Sequence, residues 1–414
     1  MLLLNNFRIV DEASDFTGSV IVEDGFISGV LDGAKAEQAP RRADTVIEGG
    51  GNLVLMPAFV DLHAHFRDPG TGDVCAKETM ESACLAAAAG GYGTVACMAN
   101  TQPPVDSIDR AASLKKHADA LGLVDLYPVL SLTKGMEGKE LSEITKLPEA
   151  PEKKPGFIRL LSEDGRDMAG DGLFLSAFTA ARRAGLPVSC HCDLGGEYNA
   201  AGRAIEFAIR AGAKLHIAHV STKETIELIR KTKSQASGFS LSCEITPHHL
   251  ALTKKDVSDA AGKVAPPLGS GEDRLALVAA LVDGTADAIA TDHAPHTAAD
   301  KASGAPGFSG LETAFCVCFS ALVKTGTIDI KKLSSLMSAA PARILGLGEK
   351  GPRGRGLAAP GYRADLVIVD TGAARIVDPQ AFKSRGKNSP FAGRMLCGTV
   401  LAAIHSGRVV FDGR

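Results

Sequence analysis

The chain has 414 residues, 45% hydrophobic and 22% charged, with 45 glycines and 20 prolines, proportions of a folded globular protein that exclude a low-complexity or disordered chain. Its 45 basic and 48 acidic residues leave a net charge of −3 with no sustained run of one sign, so neither nucleic acid nor a membrane is an expected partner. Nine cysteines form no Cys-x-x-Cys pair, and Met1–Leu4 followed by two asparagines lacks the charged and long apolar regions of a secretory signal, so a reducing cytoplasm is expected.

The first 56 residues read as short strands and turns: Phe7–Val10, Ser19–Val22 and Phe26–Val30 are apolar-rich runs separated by Asp and Gly. From Pro57 the texture changes to strand, polar loop, helix, repeated. Val60–Leu62, Thr94–Met98, Leu123–Leu130, Gly156–Leu161, Pro187–Cys190, Lys214–Ala218, Ser240–Ile245 and Asp287–Ala290 are eight candidate strands. Ala- and Leu-rich stretches such as Ser82–Ala89 and Arg203–Gly212 have helical spacing between them. Strands alternating with helices imply a parallel sheet, and eight such units imply a closed (β/α)8 barrel of the TIM type over residues 57–347. The tail returns to strands, Ala364–Val369 and Leu401–His405, among Gly-rich turns. Residues 1–56 and 348–414 are therefore expected to build one small β-sandwich domain from both termini.

The chemistry lies where a barrel enzyme carries it, at the C-terminal ends of the strands. His63 and His65 end the first strand two residues apart, on one face. Asp164 follows the fourth strand, His191 the fifth, His219 the sixth and Asp292 the eighth. The intervals from 164 to 191 and from 191 to 219 are each one βα unit long. Taken singly, a His-x-His pair is incidental and an aspartate after a strand is a helix cap. Together, four histidines and two aspartates on one rim supply enough ligands for two divalent ions, with Zn²⁺ favoured and Mn²⁺ or Co²⁺ as substitutes. Such a pair acidifies a water and polarises a carbonyl or phosphoryl group.

The run Pro57–His65 resembles the signature of the amidohydrolase superfamily. Its continuation Phe66–Gly70, then Lys77–Thr79, Met98–Thr101, Ser162–Gly165, His191–Asp193, His219–Glu224, Pro247–Leu250, Thr291–His296, Gly310–Thr313 and Lys387–Phe391, is similar to the type I dihydroorotase branch. The resemblance implies a zinc-dependent, reversible interconversion of dihydroorotate and N-carbamoyl-L-aspartate, a step of pyrimidine synthesis. By motif, His63, His65 and Asp292 would hold one zinc and His191 and His219 the other. Asp164 would bridge them where relatives use a carboxylated lysine, because Gly156–Leu161 contains no lysine. A metal-bridging hydroxide would attack the ring carbonyl, with Asp292 as general base and then acid. Arg67, with Asn100 and His296, would clamp the substrate carboxylate, and His65, Pro306 and Gly307 would complete the substrate contacts. His216 and His293 read as packed or structural.

Ala99 stands where the branch has proline, and Ala265 and Gly269 stand where it has an asparagine touching the ring and an arginine. Two alternatives stay open beside the dihydroorotase reading. One is another cyclic-amide hydrolase of the hydantoinase or allantoinase kind; the other is a partner-dependent subunit of an aspartate transcarbamoylase complex. The relatives also imply a homo-oligomer. The stretch Thr297–Phe308 is the expected lid.

Overall fold

The computed structural model describes residues 1–33, 43–70, 75, 77–148, 155–166, 168–235, 238–257, 262–351 and 354–414. Its centre is the expected barrel. The first three strands are Phe59–Ala64, Tyr92–Cys97 and Asp125–Pro128, the last continued by Leu130–Ser131 after a break at Val129. The fourth to eighth are Leu161–Ser162, Val188–Cys190, Leu215–Ile217, Leu241–Ile245 and Ala288–Ile289. Neighbours pair in parallel throughout, and a bridge between Ala64 and His293 joins the eighth strand to the first. The fourth strand is shorter than expected: Gly156 and Phe157 lie in a turn, and only Leu161 and Ser162 enter the ladder.

Helices cover the barrel because their apolar residues recur at three- and four-residue spacing. In Glu197–Ala211, for example, Ala201, Ala204, Ile205 and Ala208 are buried while the opposite face carries charge. The third unit differs, with the 3₁₀ turns Lys134–Met136 and Glu143–Lys146 among its described residues. No helix among the described residues is long and apolar enough to cross a membrane.

Among the described residues, the termini meet in one hydrogen-bonded sheet of eight strands. It includes Leu2–Val10, Asp15–Glu23, Phe26–Asp32, Thr45–Glu48 and Val54–Pro57 from the N-terminal part, with Leu366–Ile376, Met395–His405 and Arg408–Asp412 from the C-terminal part. Its edge curls back on itself: Ile27 N–H donates to Tyr362 O at 2.9 Å and Ala364 N–H to Gly25 O at 2.9 Å. The two-residue period of a strand divides the side chains between two cores. Leu55, Leu366 and Ile368 point into the sheet's own apolar cluster, whereas Val54, Met56, Val367 and Val369 join the cluster of the barrel helices. The sheet is thereby fastened to the barrel along the run that leads into the first barrel strand.

Candidate metal centre

The first barrel strand is buried at every position, and its ladder to the second is irregular. Asp61 pairs with Val95 and Ala64 with Cys97, so three steps on one strand oppose two on the other. A bulge of this kind re-aims side chains at a strand's end. Asp61 then fixes the eighth strand's end: its carboxylate accepts from Thr291 N–H at 3.0 Å, Thr291 Oγ1 at 2.5 Å and His63 N–H at 3.2 Å. Four of the residues singled out from sequence have left-handed backbones, namely Arg67 (φ 62°), Asp164 (51°), His219 (31°) and Asp292 (47°). Non-glycine residues seldom adopt this conformation, and its concentration at one rim marks strain held in place for a purpose.

The rim side chains converge. His63 Nε2 lies 3.0 Å from His191 Nε2, and the ring centres of His191 and His219 are 4.7 Å apart. His63, His191 and His219 have ligand atoms within 4.8 Å of one another, as do His63, His65 and Asp164. Asp292 Oδ1 is 3.1 Å from His65 Nε2 and 3.6 Å from His63 Nε2. Asp164 Oδ1 stands 3.3 Å from His191 Nε2 and 3.8 Å from His65 Nδ1, between the two halves, and is buried without a hydrogen-bond partner. An unpartnered buried carboxylate oxygen is costly unless a cation answers it. Together with it, four imidazoles and the carboxylate of Asp292 fit a pair of divalent ions.

The charges agree with that fit. Burial alone would depress the His63 imidazole, but Asp292, then Glu244 and Asp164, outweigh it and push it up to about 9. Burial likewise opposes the charge on Asp292, yet His63, His65 and His219 hold it far below the ordinary carboxylate range. His191 is driven well down, by burial first and then by the rings of His63, His219 and His65. The rim therefore keeps Asp292 ionised and leaves the His191 imidazole neutral, with a nitrogen free to donate an electron pair.

Beside the rim, Arg67 Nε is buried with no hydrogen-bond partner, and both ring nitrogens of His296 are in the same condition. Burial, then the charges of Arg67 and Lys77, brings His296 down to about 4. Asn100 Oδ1 is 3.0 Å from His65 Nδ1, so Asn100 also orients a rim histidine, a contact the sequence reading did not include. Pro306 is exposed at the edge of this region and Gly307 is buried. Gly307 has φ 108°, and a Cβ there would lie 2.6 Å from Ala294 Cβ and 3.5 Å from His296 Nε2. Its N–H donates to Lys263 O at 2.8 Å and its carbonyl accepts from Lys301 Nζ at 2.8 Å, so its backbone groups are engaged within the protein.

Thr297–Phe308, the expected lid, carries the helix Ala298–Ala302 and is tied down by Lys301, whose Nζ also reaches Ala305 O at 2.9 Å. Ala265 is exposed, and a Cβ at Gly269 would meet Asp273 Cβ at 2.9 Å. His216 and His293 are fully buried, and His293 Nδ1 accepts from Gly310 N–H at 3.1 Å.

Glu244 was missed as a site residue. It is fully buried, 2.8 Å from His63 Nδ1 and 3.0 Å from His216 Nε2. The available signal was a carboxylate in the middle of an otherwise uncharged strand.

The Amidohydrolase family pattern matches residues 54–410. A dihydroorotase from Clostridium botulinum is 35% identical over 420 residues, covering 99% of each chain. One from Thermoanaerobacter sp. is 39% identical over 442 residues, covering 99% of this chain and 97% of its own. Among solved structures, the L-hydantoinase (dihydropyrimidinase) of Arthrobacter aurescens superposes with a TM-score of 0.83 at 26% identity, covering 100% of this chain and 96% of its own. The dihydropyrimidinase of Brevibacillus agri reaches 0.84 at 20% identity, covering 99% and 95%, a likeness of fold alone.

Proposed function

From the premise that this chain belongs to the amidohydrolase family and is a cyclic-amide hydrolase of its dihydroorotase type, we propose that it interconverts (S)-dihydroorotate and N-carbamoyl-L-aspartate at the rim of the 57–347 barrel, with residues 1–56 and 348–414 as the accompanying domain. The observation that carries the substrate assignment is Arg67, a half-buried arginine whose Nε is buried without a hydrogen-bond partner beside the rim of histidines and aspartates. A substrate carboxylate answers that charge with paired, charge-assisted hydrogen bonds. The uncharged rings of hydantoin or allantoin would leave it unanswered.

The ion pair would be Zn²⁺, with Mn²⁺ or Co²⁺ as substitutes. His63, His65 and Asp292 would hold one ion, His191 and His219 the other, and Asp164 would stand between them. Bound there, the ions supply an acidified water and a polarised ring carbonyl. The protein's own residues do the rest. Arg67 and Asn100 fix the carboxylate, and His296, neutral at pH 7, completes the clamp without adding a second cation. His65 and the Pro306–Gly307 edge bound the ring, and the missing side chain at 307 leaves room beside His296. Asp292, kept ionised by its histidine neighbours, receives the water proton on a carboxylate oxygen as the new C–O bond forms. It returns that proton to the ring nitrogen as the C–N bond breaks. Ring closure follows the same path in reverse.

A cytoplasmic setting and assembly into a homo-oligomer belong to this proposal too; association with aspartate transcarbamoylase belongs to the alternative reading. Size-exclusion chromatography with and without that partner tests the last two. The substrate assignment is tested by comparing dihydroorotate with dihydrouracil, the same ring without its carboxylate. The proposal expects kcat/KM to favour dihydroorotate by at least about 10-fold, the lower end of what a charged hydrogen bond is worth. Equal turnover of both rings would contradict it.

A further inference from the structure

A hydrogen-bonded chain runs beneath the metal centre inside the barrel. On the seventh strand, Cys243 and Ile245 pack among the helices, which turns Ser242 and Glu244 into the interior. Leu215 and Ile217 do the same for His216 on the sixth strand. Ser242 Oγ is 2.8 Å from His216 Nδ1, His216 Nε2 is 3.0 Å from Glu244 Oε2, and Glu244 Oε1 is 2.8 Å from His63 Nδ1. The same Oε1 accepts from the backbone N–H of His219 at 3.4 Å. One buried carboxylate thus touches the ring of the first-strand histidine and the backbone of the sixth-strand one, where φ is 31°.

We propose that Glu244 is a positioning residue that sets the tautomer and aim of His63 and holds His219 in its left-handed turn. A carboxylate facing Nδ1 keeps a proton on that nitrogen, so Nε2, aimed at the rim from which His191 approaches, is the nitrogen that gives up its proton to take an ion. His216, held by Ser242, keeps the second carboxylate oxygen occupied, so Glu244 is not free to swing toward the ions itself. The proposal rests on the reading of the rim as a metal site.

Glu244→Gln is the informative variant. Its amide oxygen still accepts from His63 and its amide nitrogen still reaches His216, so shape is kept and charge is lost. In competition with a chromophoric chelator, zinc affinity should fall by about 10- to 100-fold in Glu244→Gln, the range expected for an outer partner of a ligand histidine. Retention of wild-type affinity in a folded variant would overturn the proposal. Should the variant fail to fold, the ¹⁵N shifts of histidine-labelled wild-type protein decide the matter, the His63 resonance being identified by its loss in His63→Gln. Under conditions where the ring carries a single proton, that proton on Nδ1 supports the assignment, and on Nε2 it overturns it. Wild-type protein that binds no divalent ion would instead defeat the metal reading, while the tautomer measurement would still report on Glu244.

Discussion

Arg67 shows what a single side chain contributes. The residue is half-buried, its Nε is buried with no partner, and the opposing charges of Asp164 and Asp292 only partly offset the desolvation that lowers its pKa. Lysine would keep the charge but lose the planar fork that meets a carboxylate with two parallel bonds. Arg67→Lys should therefore raise KM for dihydroorotate by about 10- to 100-fold, the equivalent of about 1.5–3 kcal/mol. Zinc content should stay unchanged; steady-state kinetics and elemental analysis check the two halves. The rim residues were legible in the sequence because their types are unusual at strand ends and their spacing follows the βα unit. Glu244 was not legible as a partner of His63, since nothing local to the seventh strand says which first-strand residue faces it across the barrel. Asn100 was placed at the substrate, and its bond to His65 emerges only from the fold.

The eighth strand is short, Ala288–Ile289, and Asp292 beyond it depends on the bonds from Thr291 to Asp61. Thr291→Val removes a donor and leaves a buried carboxylate oxygen unanswered. The expected loss is about 1–3 kcal/mol of stability, measured by denaturant titration. Glu312, in the turn Leu311–Thr313, accepts from Lys383 N–H at 2.9 Å and Ser384 N–H at 3.0 Å. Burial nonetheless pushes its pKa from 4.5 up to about 7. Between these values the folded chain holds a proton that the unfolded chain has released, so the contribution of Glu312 to stability falls as pH rises across that window. Glu312→Gln should remove this slope, and melts at pH 5 and pH 8 should find the variant gaining on wild type at the higher pH. The eight barrel strands were legible from alternation of texture. The bounds of the fourth were not, because Phe157, Ile158, Leu160 and Leu161 look like a strand from composition while only the last enters the ladder. The lid was read from small residues in Thr297–Phe308, and the sequence does not show that Lys301 binds the carbonyls of that segment.

The sheet built from both termini meets the barrel at a buried charge cluster. Arg355, 4% exposed, pairs with Asp125 at the start of the third barrel strand and reaches Asp365 at 2.7 Å. Arg363 lies 3.7 Å from Asp365, and His405 Nδ1 3.1 Å from it. Removing one partner of a buried pair strands the other, so Arg355→Met should cost about 3–5 kcal/mol. Burial raises the carboxyl of Asp365, but Arg355, then His405 and Arg363, hold it well below the ordinary value of 3.8. A depressed carboxylate contributes stability that is present above its unfolded value and lost as pH falls through the folded one. The gap between wild type and variant should accordingly be full at pH 6 and shrink as the pH drops below about 4. The composite architecture was legible because both ends of the chain share β texture. That the strands join as one continuous sheet was not, since Thr45–Glu48, Val54–Pro57 and Arg408–Asp412 were not read as strands at all.

The measurement that bears most directly on this account is turnover of L-dihydroorotate by the zinc-loaded protein, followed by the ring's ultraviolet absorbance beside an Asp292→Ala control. The account predicts turnover in the wild type and its loss in the control. Two bound zinc ions in the wild type with no turnover of dihydroorotate would contradict it.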